Sequence, residues 1–322
     1  MRKIKIPETV GQNAGLALSR YVPWPKDDKK RPGFFAAVTQ ISADEGYKAA
    51  YRRWEAAIRG RKALLVTATL GGPLAVGLGN ESPTEVGLTL HRVYGMPLIP
   101  GSAIKGACLR AVRRMEIEEK ARPLFGDTDE MGYAVFHDAW YVPDSVGGTP
   151  LAVDTVTVHH PDYYQQGGKV FPTDFDDPNP VPFISVKTGA QFRFGLEIAA
   201  SDDVAAGWRD FAETMLRYTL TEIGIGGKTN AGYGWFKEVV CEHPVTPEML
   251  LKPIQERIGS IRAAQNTGMV NSIIAEIEKV DDISVQRAAL LELRRHLQEK
   301  RFWKPDKTMY QNIDRKIEEV GQ

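Results

Sequence analysis

Eleven consecutive residues, Gly224-Ile225-Gly226-Gly227-Lys228-Thr229-Asn230-Ala231-Gly232-Tyr233-Gly234, combine five glycines with one lysine and one tyrosine. Glycine lets a backbone turn through positive φ and come close to a ligand. Successive N–H groups in such a turn form an anion-binding concavity. Lys228 adds a point charge and Tyr233 a stacking face. The chemistry predicted is recognition of a sugar-phosphate backbone by Gly226, Gly227, Lys228, Thr229, Asn230 and Tyr233. Two other glycine-loop functions fail on spacing. A P-loop needs a glycine five residues before its Gly-Lys-Thr, and Glu222, which would repel phosphate, holds that position. A dinucleotide fingerprint needs G-x-G-x-x-G after a strand. Counted from Gly224 its third glycine falls on Thr229, and the preceding segment reads as helix. The plain alternative is a turn joining a helix to a strand.

Residues 91–114 hold five Lys or Arg and no carboxylate. Pro100 and Gly101 break the chain, and Ser102 is placed to cap a helix over Ala103 to about Glu119. A helix N-terminus binds phosphate readily. Lys105 falls in the first turn, where a cation opposes the helix dipole, so a bound anion would explain its position. Arg110 and Arg114 share a face. Arg92, Ser102, Lys105, Arg110 and Arg113 therefore join the nucleic-acid-contact candidates, against the plain reading of a solvated basic face.

A third group lies at His159-His160-Pro161-Asp162-Tyr163-Tyr164. His159, His160, Tyr163 and Tyr164 can stack on bases and bond phosphates without tuned pKa values. His159, His160, Tyr163 and His91 could equally do acid–base work on a 2′-OH. Asp174, Asp176 and Asp177 could hold a hard cation, although Asp-Asp-Pro-Asn-Pro more often makes a turn-rich loop.

These groups sit on an ordinary globular composition. The chain has 322 residues, 43% hydrophobic and 25% charged, with zero formal net charge. Zero net charge argues against a free-standing basic nucleic-acid binder but not against segregated charge. Cys108 and Cys241 form no C-x-x-C pair, so neither a disulfide framework nor a zinc site is expected, and both read as small buried apolar residues. The start, Met1-Arg2-Lys3-Ile4-Lys5, leads into no apolar run, and no run of 18 apolar residues occurs. The expectation is a cytoplasmic protein with no membrane partner.

The elements that must position the groups read as β-α-β-β-α-β. Strands are predicted at Lys62–Leu70, Tyr133–Val142, Gln191–Ala199 and Tyr233–Val240. The second helix runs from an Asp202 or Asp203 cap to about Glu222. The order predicts an α+β fold with a ferredoxin-like, RRM-type core and long insertions. Those insertions are 71–101 and 143–190. The second carries six acids between 144 and 180 against Lys169 alone, and a short strand at Leu151–Val158. A Pro/Lys-rich stretch, Val22–Pro32, and a helix at Asp44–Arg59 precede the core. Helices follow from Pro247, with apolar spacing at Ile273, Ile274, Ile277 and Val280, then at Leu290, Leu291, Leu293 and Leu297. The domain reading is 1–61 as an N-terminal extension, 62–245 as the core domain with the 143–190 insertion, and 246–322 as a C-terminal helical region.

Leu98-Ile99-Pro100-Gly101-Ser102-Ala103-Ile104-Lys105-Gly106, with Arg110 one residue late, resembles the IPGSSIKGALR signature of the RAMP superfamily of CRISPR proteins. Residues 224–234 resemble that superfamily's glycine-rich motif. Asn13-Ala14-Gly15-Leu16 with Arg20-Tyr21, Gly77-Leu78-Gly79 with Glu85, Asp154 through Tyr164, and Asp174–Phe183 are similar to the subunit-six family of the Cmr complex, the type III-B CRISPR effector. The resemblance spans about residues 13–240. It implies a non-catalytic subunit that binds crRNA and target RNA near the crRNA 3′ end, beside other Cmr subunits and above all the RAMP backbone subunit, with no cofactor and no metal. It also implies that 143–190 is a thumb between guide and target bases. The backbone subunit of the superfamily cuts RNA with an aspartate after the first strand, and no Asp occurs here from Gly71 to Pro100. The alternative within the superfamily is a metal-independent endoribonuclease that processes precursor crRNA.

Overall fold

The computed structural model describes residues 11–23, 30–244, 247–262 and 267–320. The Met1–Lys5 start and Trp24 to Lys29 of the Pro/Lys-rich stretch lie outside the described residues. Two compact units are present, Met1–His243 and Pro244–Gln322.

The first unit opens with α1 (Ala14–Arg20), α2 (Arg31–Val38) and α3 (Glu45–Gly60), then β1 (Leu64–Leu70), β2 (Leu98–Ile99), α4 (Gly101–Arg114) and α5 (Glu118–Phe125). It continues with β3 (Ala134–Phe136), β4 (Ala139–Tyr141), β5 (Leu151–Val158), α6 (Pro161–Gln165), β6 (Asn179–Val186), β7 (Gln191–Ile198), α7 (Asp202–Tyr218) and β8 (Phe236–Glu242). The main sheet is antiparallel in the order β2-β4-β7-β1-β8, with β3 also on β7. The chain is thus a mixed α+β protein. β1 lies centrally, Leu64 opposite Leu196 and Leu70 opposite Phe236.

Period-two alternation divides the sheet residues between two faces. On one face Val66, Ala68, Phe192, Phe194 and Phe236 are buried in one core with Cys108 and Val112 of α4 and Met215 and Leu216 of α7. Burying each such phenylalanine contributes about 1.5–3 kcal/mol. On the other face α3 lies across the strands. Asp44 caps it, Oδ1 accepting from Tyr47 N at 2.7 Å. Tyr47 and Trp54 both stack on Trp140, at 5.6 and 5.5 Å between ring centroids. Below them Arg193, only 3% exposed, pairs with Glu55 at 3.0 Å and Glu242 at 2.7 Å and donates to Thr67 Oγ1 at 2.5 Å. RRM-type proteins stack bases on such a face; here α3 covers its middle.

Three expected elements differ. The strand expected over Tyr133–Val142 is two short ones. Phe136 faces Leu196 but Trp140 faces Arg193, so the β3–β4 side carries an extra residue, a bulge at His137-Asp138. Bulges re-aim side chains. Asp138 Oδ1 accepts from Gly101 N at 2.7 Å, and His137 meets Glu197 at 3.1 Å. The helix expected to reach Glu119 stops at Arg114, where Glu116 turns to φ 57° and α5 restarts the coil. Ser102 is not its cap: Pro100 is the cap residue, and Asp138 supplies the carboxylate from a distant strand. Likewise α7 starts after Ser201, so neither Asp202 nor Asp203 is the cap residue.

The 143–190 insertion is a β5–β6 ribbon paired from Leu151↔Val186 to Val158↔Asn179. The 71–101 insertion packs at its base through the Leu74↔Val186 bridge. The second unit holds α8 (Pro247–Gly259), α9 (Thr267–Ile277), α10 (Ile283–Glu299) and α11 (Thr308–Glu319). Its core contains Ile254, Ile258, Ile273, Ile274, Ile277, Leu290, Leu293, Leu297 and Ile313. Leu291 points to solvent instead. Arg294 lies over Trp303, 5.6 Å from the ring centroid. Cys108 is buried as expected, while Cys241 is half-buried with Arg217 Nη2 at 3.2 Å.

Candidate nucleic-acid interface

α7 ends in a wide π turn, Thr219–Ile223, closed by Gly224. The chain then makes a tight band. Ile225 N donates to Gly234 O at 2.9 Å, Gly227 N to Ala75 O at 2.8 Å and Gly234 N to Pro73 O at 2.7 Å. Gly226 has φ +91°, and a Cβ there would lie 2.5 Å from the Ala75 carbonyl oxygen. A Cβ on Gly234 would lie 1.9 Å from Ile225 O. Gly227 and Gly234 spend their N–H groups within the band, and Gly226 and Gly234 leave room for neighbouring carbonyls. The anion-facing part is narrower than the sequence suggested. Lys228 is left-handed (φ 58°), and a 3-10 turn over Thr229–Ala231 follows. Ala231 N bonds back to Lys228 O at 2.9 Å. That leaves the consecutive N–H groups of Lys228, Thr229 and Asn230 without a partner among the described residues. Lys228 and Asn230 are exposed. This is a nest of backbone donors with a lysine beside it.

Arg110, Tyr233 and Lys228 fix the band. Arg110 Nη2 donates to Gly224 O at 2.9 Å and to Ile223 O at 3.4 Å. The Tyr233 hydroxyl donates to Asp154 Oδ2. Its ring stacks on Phe183 at 6.5 Å, and Lys228 Nζ stands 6.0 Å from the same ring. Burial, together with the Asp154 carboxylate, pushes the Tyr233 phenol up to about 12. Asp154 and Phe183 are cross-strand partners at the base of the ribbon. The insertion and the glycine loop therefore form one surface. Nothing in the sequence linked the two; only the pairing of β5 with β6 puts Asp154 opposite Phe183.

The basic segment divides by what its cations touch. Arg110 is committed to the loop carbonyls, and Arg113 pairs with Glu118 at 2.9 Å. Lys105, Arg92 and Arg114 form no ion pair among the described residues. The start of α4 is closed by Asp138, so a phosphate centred on Gly101 N would meet a carboxylate. Ser102 is exposed one residue inside. His91 packs on Tyr94 and Trp140 at 4.8 and 4.7 Å, and burial lowers its pKa. It belongs to the aromatic cluster under α3.

On the ribbon, His160 Nδ1 meets Asp176 Oδ2 at 2.9 Å. Asp176 also accepts from Thr173 N and Oγ1, at 3.2 and 2.7 Å. Thr173 and His160 hold its carboxyl below the usual range. Tyr163 and Tyr164 meet edge to face at 5.3 Å, Tyr164 being 69% exposed. His159 is exposed. Phe171 and Phe175 are exposed too, Phe175 at 96%, and sequence reading passed over both. Among the described residues no group of three His, Cys, Asp or Glu is arranged to hold a metal ion.

Residues 67–237 match the family model of the RAMP superfamily. The chain belongs to the RAMP superfamily. The matched span runs from β1 to the start of β8, so it contains α4, the ribbon and the glycine loop of this RAMP protein. A curated relative, CRISPR system Cmr subunit Cmr6 of Pyrococcus furiosus, is 28% identical over 232 residues. That alignment covers 52% of this chain and 65% of the relative, so the chain spans a little under two thirds of the relative's length. Two solved structures are similar. One is the type III-B Cmr-beta complex bound to cognate target RNA, with a TM-score of 0.51 at 18% identity, covering 68% of this chain and 76% of that one. The other is Cmr6 from Pyrococcus furiosus, with a TM-score of 0.37 at 25% identity, covering 55% and 98%. Among the described residues of this RAMP protein no helix is long and apolar enough to cross a membrane.

Proposed function

We propose that this chain is a non-catalytic RNA-binding subunit of a type III-B CRISPR effector. The observation that carries the reading is the joined surface. A backbone nest at Lys228–Asn230, the ribbon base at Asp154 and Phe183, and α4 through Arg110 all meet at one loop. Nest donors and lysines take phosphates without reading sequence. The crRNA backbone runs over this loop and the Lys105 side of α4, near the guide's 3′ end. The ribbon, with Tyr163, Tyr164 and the histidines, stands as a thumb between guide and target bases, stacking on bases through their π faces. Its carboxylates turn toward a basic neighbour, the RAMP backbone subunit. The strand order β4-β7-β1-β8 with α4 and α7 on one face supports the finer reading of a ferredoxin-like core. The missing aspartate after β1 supports the absence of cleavage.

One observation favours a second reading. The His160–Asp176 pair resembles an oriented general base, as a processing endoribonuclease would need. The test separates the two. The chain is purified with the remaining effector subunits and crRNA, and offered precursor and target RNA with and without Mg²⁺. A subunit that co-purifies with small RNA, and whose His160→Ala variant changes no cleavage product, fits the proposal. Metal-independent processing lost in His160→Ala establishes the nuclease.

A further inference from the structure

Trp235 follows the glycine loop directly and was not among the sequence candidates. Its indole lies on Gly71 at the end of β1, where a Cβ would come within 2.4 Å of the six-membered ring. Gly71 N donates to Trp235 O at 2.9 Å. The ring is 39% exposed, and its N–H has no partner among the described residues. The Gly232 carbonyl oxygen and the indole Nε1 border the same point above Gly72, at 2.1 and 2.8 Å. The indole therefore stands beside the turn that carries the nest.

The next side chains on this face are polar. The register shifts between Thr69 and Leu70, which turns Glu238 rather than Lys237 toward Thr69. Gln191 Nε2 donates to Thr69 Oγ1 at 3.2 Å, and Thr69 Oγ1 donates to Glu238 Oε2 at 3.4 Å. The chain of donors ends on the carboxylate, which has no cation partner among the described residues. Gln191 Oε1 is likewise unpaired. An aromatic face thus borders a strip whose charge is the Glu238 carboxylate, an acceptor only, with the Gln191 amide beside it. A phosphate would be repelled there. A base with an exocyclic amino group would stack on the indole and donate to Glu238, as cytosine N4 does to carboxylates.

We infer that Trp235, Gln191 and Glu238, bridged by the buried Thr69, form a subsite for one nucleobase bearing an exocyclic amino group, next to the phosphate nest. The inference rests on the RNA-binding reading and adds base preference to it. α3 covers the middle of this sheet face, and the subsite is the strip left open beyond it.

The test is fluorescence anisotropy of the full chain with labelled oligocytidine and oligouridine twelve-mers, at several salt concentrations. Cytosine and uracil stack similarly, and where cytosine presents its amino donor uracil presents a carbonyl oxygen that the Glu238 carboxylate repels, so oligocytidine should bind about five-fold tighter. Trp235→Ala should weaken both about ten-fold, while Trp235→Phe retains most of the affinity, which excludes misfolding as the cause. Glu238→Gln should abolish the preference and leave the salt slope unchanged. Salt-dependent binding that ignores Trp235 and Glu238 overturns the subsite and leaves the phosphate reading standing. Binding to neither oligonucleotide overturns both.

Discussion

Arg110→Met distinguishes a residue that holds the loop from one that touches phosphate. Its Nη2 serves the carbonyls of Gly224 and Ile223, at 2.9 and 3.4 Å, where the π turn after α7 ends. A hydrogen bond from a charged donor contributes about 1.5–3 kcal/mol, and a cation near a helix C-terminus is favourable for the same carbonyls. The side chain is exposed, so water recovers part of this, and about 1–2 kcal/mol is the expected loss. For a unit of this size that lowers Tm by about 3–6 °C. The assays are thermal unfolding and an RNA titration at several salt concentrations. Arg110→Met should unfold earlier and bind RNA more weakly, with an unchanged slope of log K against log salt. Unchanged stability with a slope flattened by about 0.7, the single-strand value for one phosphate contact, would refute the positioning role.

Glu242 gives a pH prediction. The hydrogen bond from Arg193, helped by Arg59 and opposed by burial, holds its carboxyl down to about 2 in the fold, from an ordinary 4.5. A depressed folded pKa stabilises above the unfolded value and is lost as pH falls through the folded one. The stability deficit of Glu242→Gln should therefore be full at pH 6 and shrink from about pH 4.5 toward 2; a deficit independent of pH contradicts the pairing. Gly226→Ala places a methyl 2.5 Å from the Ala75 carbonyl oxygen at φ +91°. It should cost about 1–3 kcal/mol and reduce RNA binding, as read by urea unfolding and anisotropy. Tyr51, Tyr141 and Tyr233 are all pushed up to about 12; Tyr233→Phe should remove one of these late ionisations from an ultraviolet titration, and loss of amplitude at the ordinary tyrosine value instead would place its hydroxyl away from Asp154.

Most strands and helices were legible because apolar periodicity and local caps are sequence-local. Asp44, read as the start of its helix, does cap α3. The misses involve partners far apart in the chain. Asp138 replaces Ser102 at the start of α4, because the bulge after β3 delivers a carboxylate that no local pattern announces. Arg110 reads as a phosphate ligand by type and spacing, and no local pattern announces that its Nη2 donates to carbonyls more than a hundred residues away. The glycine loop was legible as an exposed, irregular turn. Its division into packing glycines and three donating N–H groups needed Pro73 and Ala75, which the sheet brings beneath it. Trp235 was read as a strand residue, and only the bare backbone of Gly71 shows why its ring lies open.

The most direct measurement is the salt dependence of single-stranded RNA binding by the chain and by its Lys105→Ala, Lys228→Ala double variant. If the nest and the free face of α4 hold the RNA backbone, the variant keeps its thermal stability and its slope of log K against log salt flattens by about 1.4, or 0.7 for each lost phosphate contact. An unchanged slope at unchanged fold would contradict the assignment of this surface to RNA.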